Sequence, residues 1–390
     1  MAVNFFIGQN GKARRVRQQF VSVNGKARRV LKGYVGVNGK ARLFYSATTE
    51  CVEHKEAPAL SYTSTEYLSA ASTPDYAIFA GGLDSRSAFS EVMSARAYSR
   101  SLTIQSISSL SVEKGHGTSL SFNGRAVFAG GYKGVFMGYK HNDYVDTYDN
   151  SLTKSSLSRM RDTKASLAGT VVGNYMIFAG GETGSQINNQ HMSSADAYDT
   201  SFTKISVSSL RVGRGYLRAA TVGKYAIFAG GYSKSGYHSS VDVYDSSLTK
   251  TTGAALSEIK DNMAPGSNES YAIFVGGYNP TNINNVSVDI YNKSLTHTTT
   301  PRVLIGTNPA SASVDGNIIV TGGYINDVNS GTKGASNGFY VYDGSLTVTT
   351  PYQLTHKRDS HAMTCLGDYV LVGGGSDNGP VTSVEYFKFA

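Results

Sequence analysis

The chain has 390 residues, of which 16% are charged and 40% are hydrophobic, with 43 Gly, 26 Tyr and no Trp. That mix favours many short strands and turns over disorder. Two cysteines, Cys51 and Cys365, are too few for a disulfide scaffold or a four-thiolate zinc site, and no apolar run reaches the length of a membrane span. The start, Met1 to Gly8, is too short and uncharged for a signal peptide, so export by the general secretory route is not expected.

Residues 1–45 form the first unit. Asn10-Gly-Lys-Ala-Arg-Arg15-Val16 returns as Asn24-Gly-Lys-Ala-Arg-Arg29-Val30 and as Asn38-Gly-Lys-Ala-Arg42-Leu43, a period of 14. Asn-Gly is a strong hairpin signal because both central positions need positive φ. The segment therefore predicts a small β-meander. It holds the cations Lys12, Arg14, Arg15, Lys26, Arg28, Arg29, Lys40 and Arg42 with Arg17 and Lys32, and no acid, so the remainder of the +8 chain sums to −2. Such a meander has a marginal core and calls for a partner surface, either another copy or a different protein. Nucleic acid is not expected, since the segment has no recognisable stacking platform. The repeats, ending in Ala41-Arg-Leu-Phe-Tyr45, resemble N-terminal segments of bacteriophage tail and other virion proteins. The resemblance covers about 45 residues and implies a docking arm that holds the protein on a virion.

Residues 46–390 read as one repeat. Gly pairs follow an apolar run at Gly81-Gly82, Gly130-Gly131, Gly180-Gly181, Gly230-Gly231, Gly276-Gly277, Gly322-Gly323 and Gly373-Gly374, spaced 46 to 51 residues apart. A period of that size signals a propeller or solenoid. In the fourth copy Leu217 to Val222 predicts a strand, Gly223-Lys224 a turn, and Tyr225 to Ala229 a strand buried on both faces. A polar loop and an alternating strand, Val241 to Asp245, come next, and then Ser247-Leu-Thr-Lys250 and a Thr-rich strand. The third-strand signature recurs as Asp146-Thr-Tyr148-Asp149, Asp196-Ala-Tyr198-Asp199, Asp289-Ile-Tyr291 and Tyr340-Val-Tyr342-Asp343. An apolar strand ending in Gly-Gly, then a loop, then Tyr-Asp, resembles the kelch repeat, with Leu or Phe of the Ser-Leu-Thr segment standing where that family carries Trp. The expectation is an all-β, seven-bladed, kelch-like propeller with four strands per blade. The last copy stops at a third strand, Val384 to Phe389, so the segment 48–55 is expected to supply its fourth and close the ring.

Chemistry is sparse. The eight histidines show no metal-ligand spacing, and there is no nucleophile elbow or phosphate-binding Gly loop. No catalytic residue, metal or cofactor is expected. The loops after the Gly pairs are rich in Tyr, Asn, Ser, Gly and His, the composition of adaptable binding surfaces, and Tyr132, Tyr232, Tyr278 and Tyr324 stand directly behind a pair. Sixteen residues before each first Gly lie Thr65, Lys114, Lys164, Arg214, Lys260, Gly306 and Lys357. Five of these are cationic, which suggests a positive ring on the same face for an anionic ligand. The reading is therefore a non-enzymatic virion protein of a phage, assembled in the host cytoplasm and without membrane contact. The arm would meet other virion proteins, and the propeller would bind bacterial surface polysaccharide or wall polymer. The alternatives are a carbohydrate-active propeller enzyme, for which Glu182 and Asp377 are the candidate carboxylates, or a purely structural decoration.

Overall fold

A computed structural model describes residues 51–389 apart from 63–64, 85–89, 92, 134–139, 185–188, 282–286, 301–302, 304 and 328–331. Within residues 1–50 it describes only the backbone of six strands.

Seven four-stranded antiparallel sheets make a seven-bladed β-propeller. Blade one contains Ser69–Ser72, Tyr76–Ala80, Ala95–Ser99 and Ile104–Ile107. Blade four contains Arg218–Val222, Tyr225–Ala229, Val241–Asp245 and Lys250–Thr252. The intervening blades repeat that order, with first strands at Thr118–Phe122, Ala168–Val172, Ala264–Ser267 and Ala310–Val314. Blade seven takes Ala362–Leu366, Tyr369–Gly373 and Val384–Phe389, and its fourth strand is Cys51–Ala57 from the start of the ring.

The second strand shows why blades must stack. In blade four Ala226 and Phe228 join one core cluster with Ile177 and Ala179 of blade three, while Ile227 and Ala229 join another with Ala272 and Phe274 of blade five. Period-two alternation thus divides one apolar run between two interfaces, and a lone blade would expose both. The third-strand Tyr stands edge-on to the Phe of the same blade, as at Phe228–Tyr244, with centroids 5.6 Å apart and planes at 81°. Its buried hydroxyl donates to a backbone carbonyl, Tyr244 to Ser208 at 2.6 Å, which satisfies the polar end of the ring. Leu248 of the Ser-Leu-Thr turn sits at φ 63° and packs against the cluster between blades three and four. The Asp245 carboxylate holds that turn by accepting from the N–H groups of Ser247 and Thr249.

The Gly pairs dock each blade on the next. Gly231 N–H donates to the Lys260 carbonyl at 2.9 Å, and a Cβ on Gly230 would lie 2.4 Å from that same oxygen. Equivalent bonds run from Gly82 to Lys114, Gly131 to Lys164, Gly181 to Arg214, Gly277 to Gly306, Gly323 to Arg358 and Gly375 to Thr65. The seventh pair is therefore Gly374-Gly375, one residue later than the repeat suggested, because Gly373 ends the strand.

In the arm, Phe6–Gln9 pairs with Lys12–Arg15, Gln19–Val23 with Lys26–Val30, and Lys32–Val37 with Lys40–Ser46. The closing pairs Gln9–Lys12, Val23–Lys26 and Val37–Lys40 leave two residues between partners, as two-residue hairpins require. These strands form three separate two-stranded sheets rather than the single meander expected. The eight arm cations named above fall on these strands, and the Asn-Gly residues themselves lie outside the described residues. The chain falls into two compact units, Met1–Cys51 with Ala390, and Val52–Phe389.

Candidate binding site at the propeller axis

The cations expected to ring the loop face are buried instead. Lys114, Lys164, Arg214 and Lys260 are 0–4% exposed, and each meets the third-strand Asp of its own blade. The distances are 3.5 Å to Asp146, 3.5 Å to Asp196, 3.0 Å to Asp242 and 2.6 Å to Asp289. Lys357 is exposed and takes no part; the residue after it, Arg358, occupies the equivalent place and meets Glu385 at 2.6 Å. A second basic side chain reaches several of these carboxylates from the fourth strand: Lys204 at Asp196, Lys250 at Asp242 and His297 at Asp289. In blade seven His54 of the closing strand does so at Glu385, 2.9 Å away. Burial lowers the Lys114 ammonium to about 8 against the opposing pull of Asp146. These residues therefore hold the blades and offer no positive ring to a ligand. Blades one and six, where Thr65 and Gly306 replace the cation, carry Arg96 and Tyr340 in place of the Asp.

Two residues past each of these positions the chain contacts the next blade around the axis. Tyr67, His116, Ser166, Tyr216, Asn262, Asn308 and Ser360 all adopt φ between 49° and 57°, in the left-handed region. Left-handed backbone is costly for bulky residues such as Tyr67 and Tyr216, so the surroundings must impose it. They do so with a belt of backbone hydrogen bonds. Tyr67 N–H donates to Ser360, Ser360 to Asn308, Asn308 to Asn262, Asn262 to Tyr216, Tyr216 to Ser166 and Ser166 to His116, at 2.8–3.1 Å. At the remaining junction the Tyr67 and His116 rings stack at 3.7 Å.

Inside the belt lies a recess of about 120 Å³. Its walls include the seven belt residues, Arg218, Pro309 and His361. His116 also stacks on Tyr132 at 5.2 Å. Burial, and then the charge of Arg218, push the His116 imidazole down to about 3, so it is neutral at pH 7. His361 is 7% exposed; its Nε2 meets the Thr321 hydroxyl at 2.8 Å and its Nδ1 is buried without a hydrogen-bond partner. Beside the recess, burial raises Asp261 to about 7, against the pull of Arg218 and a bond from Asn262, with Glu182 adding to the rise. Glu182 is 6% exposed and accepts from the Ser166 hydroxyl at 3.0 Å and from Asn189 at 2.6 Å.

The four loop tyrosines are not among the residues lining the recess, but each pairs with the residue just before a belt position. Each is fixed by a two-residue bridge to the residue after the inter-blade cation position: Tyr132 to Gly115, Tyr232 to Gly215, Tyr278 to Asp261 and Tyr324 to Thr307. Tyr237, from the hairpin of Tyr232–Ser233 with Gly236–Tyr237, lies between Tyr232 and Tyr278 with centroids 4.9 and 5.4 Å away. The three rings form a half-buried aromatic shelf. Asp377 lies with Asp359, whose carboxyl burial raises to about 6, with Glu66 and Asp377 adding to the rise. The carboxyl on which the Glu182 charge acts is thus Asp261, which the sequence reading did not single out. Among the described residues no three His, Cys, Asp or Glu side chains gather as metal ligands.

The belt and Arg218 were both missed from the sequence. The belt positions hold Tyr, His, Ser, Tyr, Asn, Asn and Ser, so they share a conformation and not a residue type. The usable signal was positional: they lie fourteen residues before each first Gly once the last pair is taken as Gly374-Gly375.

No family model matches the chain, and no curated protein matches it either. Among solved structures it is similar to that of YjhT, with 12% identity and a TM-score of 0.53, over 84% of this chain and 95% of that one. At that identity the likeness is one of fold.

Proposed function

We propose that the chain is a recognition protein of a phage virion, in which the face bearing the axial recess binds a bacterial surface polysaccharide or wall polymer. The observation that carries this reading is the juxtaposition of the Tyr232–Tyr237–Tyr278 shelf with a recess of hydrogen-bonding side chains. A sugar ring has apolar C–H faces and hydroxyl edges. Aromatic rings suit the faces, while Asn262, Asn308, Ser360 and neutral His116 suit the edges. The belt holds these groups in place before any ligand arrives, which lowers the ordering cost of binding. The kelch-like pattern and the resemblance of residues 1–45 to virion proteins support the rest of the reading, in which the arm docks to other virion proteins. Several copies on one particle would raise avidity.

The test is to label the full chain and apply it to a panel of bacterial strains and their purified wall polymers. The expected outcome is labelling of a subset of strains, lowered about tenfold by the pair Tyr232→Ala and Tyr278→Ala. If no strain or polymer retains the protein, the recognition reading fails.

A carbohydrate-processing activity is the second reading. It is favoured by one observation, the Asp261 carboxyl raised to about 7 with the Glu182 charge acting on it. A carboxyl that titrates near neutral pH suits acid–base chemistry. Release of reducing ends from the same polymers, abolished by Asp261→Asn, would support it.

A further inference from the structure

Five buried cations of the propeller are matched to a carboxylate. Lys114, Lys164, Arg214, Lys260 and Arg358 each have an Asp or Glu oxygen at 2.6–3.5 Å. Arg218, which lines the axial recess, is not. Its Nε donates to the Met263 carbonyl at 3.1 Å, Nη1 to the Leu217 carbonyl at 3.1 Å and Nη2 to Asn262 Oδ1 at 3.0 Å. Among the described residues no carboxylate oxygen lies within 4.0 Å of it. A guanidinium carries five N–H donors, so two remain, one on each terminal nitrogen. That is the pair a carboxylate accepts with its two oxygens.

The position is also singular within the repeat. Its equivalents in the other six blades are Ser69, Thr118, Ala168, Ala264, Ala310 and Ala362, all small. A desolvated cation with no ion-pair partner, on which Asp261 acts only through space, costs stability, and Ala at four of these places shows that the fold does not need it. One blade alone has placed a charge at the axis, where a ligand would meet it.

Resting on the recognition reading above, we propose that the axial recess seats the carboxylate of an acidic sugar on the open fork of Arg218. The recess, at about 120 Å³, admits a substituent rather than a whole saccharide. The sugar ring then lies at the mouth, within reach of Tyr67, His116 and Tyr216. Arg218 supplies one positive charge, and Asp261 already acts on it. A singly charged carboxylate therefore meets less repulsion there than a phosphate dianion would.

The experiment is calorimetry on the full chain with glucuronate, glucose and glucose 6-phosphate. Glucuronate is expected to bind at least about tenfold more tightly than glucose. Arg218→Lys, which keeps the charge and removes the fork, should erase that preference. Asn308→Asp leaves every Arg218 bond in place and sets a negative charge in the recess wall, so it should erase the preference even if the Arg218 variant fails to fold. Equal binding of glucuronate and glucose, tighter binding of glucose 6-phosphate, or a preference that survives Asn308→Asp would overturn the assignment. Cell labelling separates the two claims. Labelled strains without a glucuronate preference sink the carboxylate site and leave recognition standing, while a glucuronate preference without labelled strains does the reverse.

Discussion

Blades two to five and blades six, seven and one build the same sheet by different means. In blades two to five a buried Lys or Arg meets a buried Asp from the third strand. Blade seven keeps the pair as Arg358–Glu385, with His54 reaching the same carboxylate from the strand that completes the sheet. Blades one and six keep neither charge, holding Thr65 with Arg96 and Gly306 with Tyr340. The four strands and the inter-blade bond to the Gly pair persist in all seven. The ion pair is therefore dispensable as a whole, but half of it is never found buried alone. That is the behaviour expected where desolvation nearly cancels attraction and the large penalty falls on an orphaned charge.

Three changes would break or sharpen this contrast. The largest effect is expected from Asp242→Ala, which strands Arg214, 0% exposed, beside Lys250. Chemical denaturation should show a loss of about 3–5 kcal/mol; a loss under about 1 kcal/mol would mean that water or the neighbouring carbonyls already carry the charge. Next comes the pair Arg214→Met with Asp242→Leu, which gives blade four the uncharged character of blade six. It should recover most of that loss and end within about 1–2 kcal/mol of the parent. If the double variant is as unstable as the single one, the pair is not an exchangeable unit.

The third change concerns a charge outside these pairs. Asp261 is raised from 3.8 to about 7 by burial, with Arg218 and Asn262 opposing and Glu182 assisting; Tyr237 also faces it. Between those values the folded chain keeps a proton that the unfolded chain has lost, so stability falls as pH rises from about 4 to about 7 and stays lower above. Asp261→Asn lacks that loss. Its melting temperature should match the parent near pH 4 and exceed it at pH 8, and parallel curves would show that Asp261 titrates normally.

The contrast also explains what the sequence displayed. The seven blades were legible because Gly-Gly is imposed by backbone contact: a Cβ on Gly230 would strike Lys260 O. The register of the last copy was not, because Gly373, Gly374 and Gly375 are indistinguishable as letters. The recurring cations were visible but their direction was not. Burial depended on partners 27 to 32 residues downstream, and the clue lay in blades one and six, where both charges vanish together. The Tyr positions behind the Gly pairs were read from the same register, and the bridges at Gly115, Gly215, Asp261 and Thr307 place them around the axis. Arg218 carried no repeat signal because it occurs once, and a reading built on periodicity discards what is singular. In the arm, Asn-Gly marked the hairpins, whereas whether neighbouring hairpins join depends on long-range pairing that no local motif encodes.

The belt at the axis acts as a hoop. Six of its links are backbone hydrogen bonds running in one rotational sense, and the seventh is the stacked pair Tyr67 and His116. A hoop fixes circumference: one wall cannot move outward unless another link lengthens. The opening it encloses is thus a gauge of set bore, with its one soft clasp between blades one and two. If the face recognises a ligand as proposed, such a bore would select by girth before any side chain reads the chemistry.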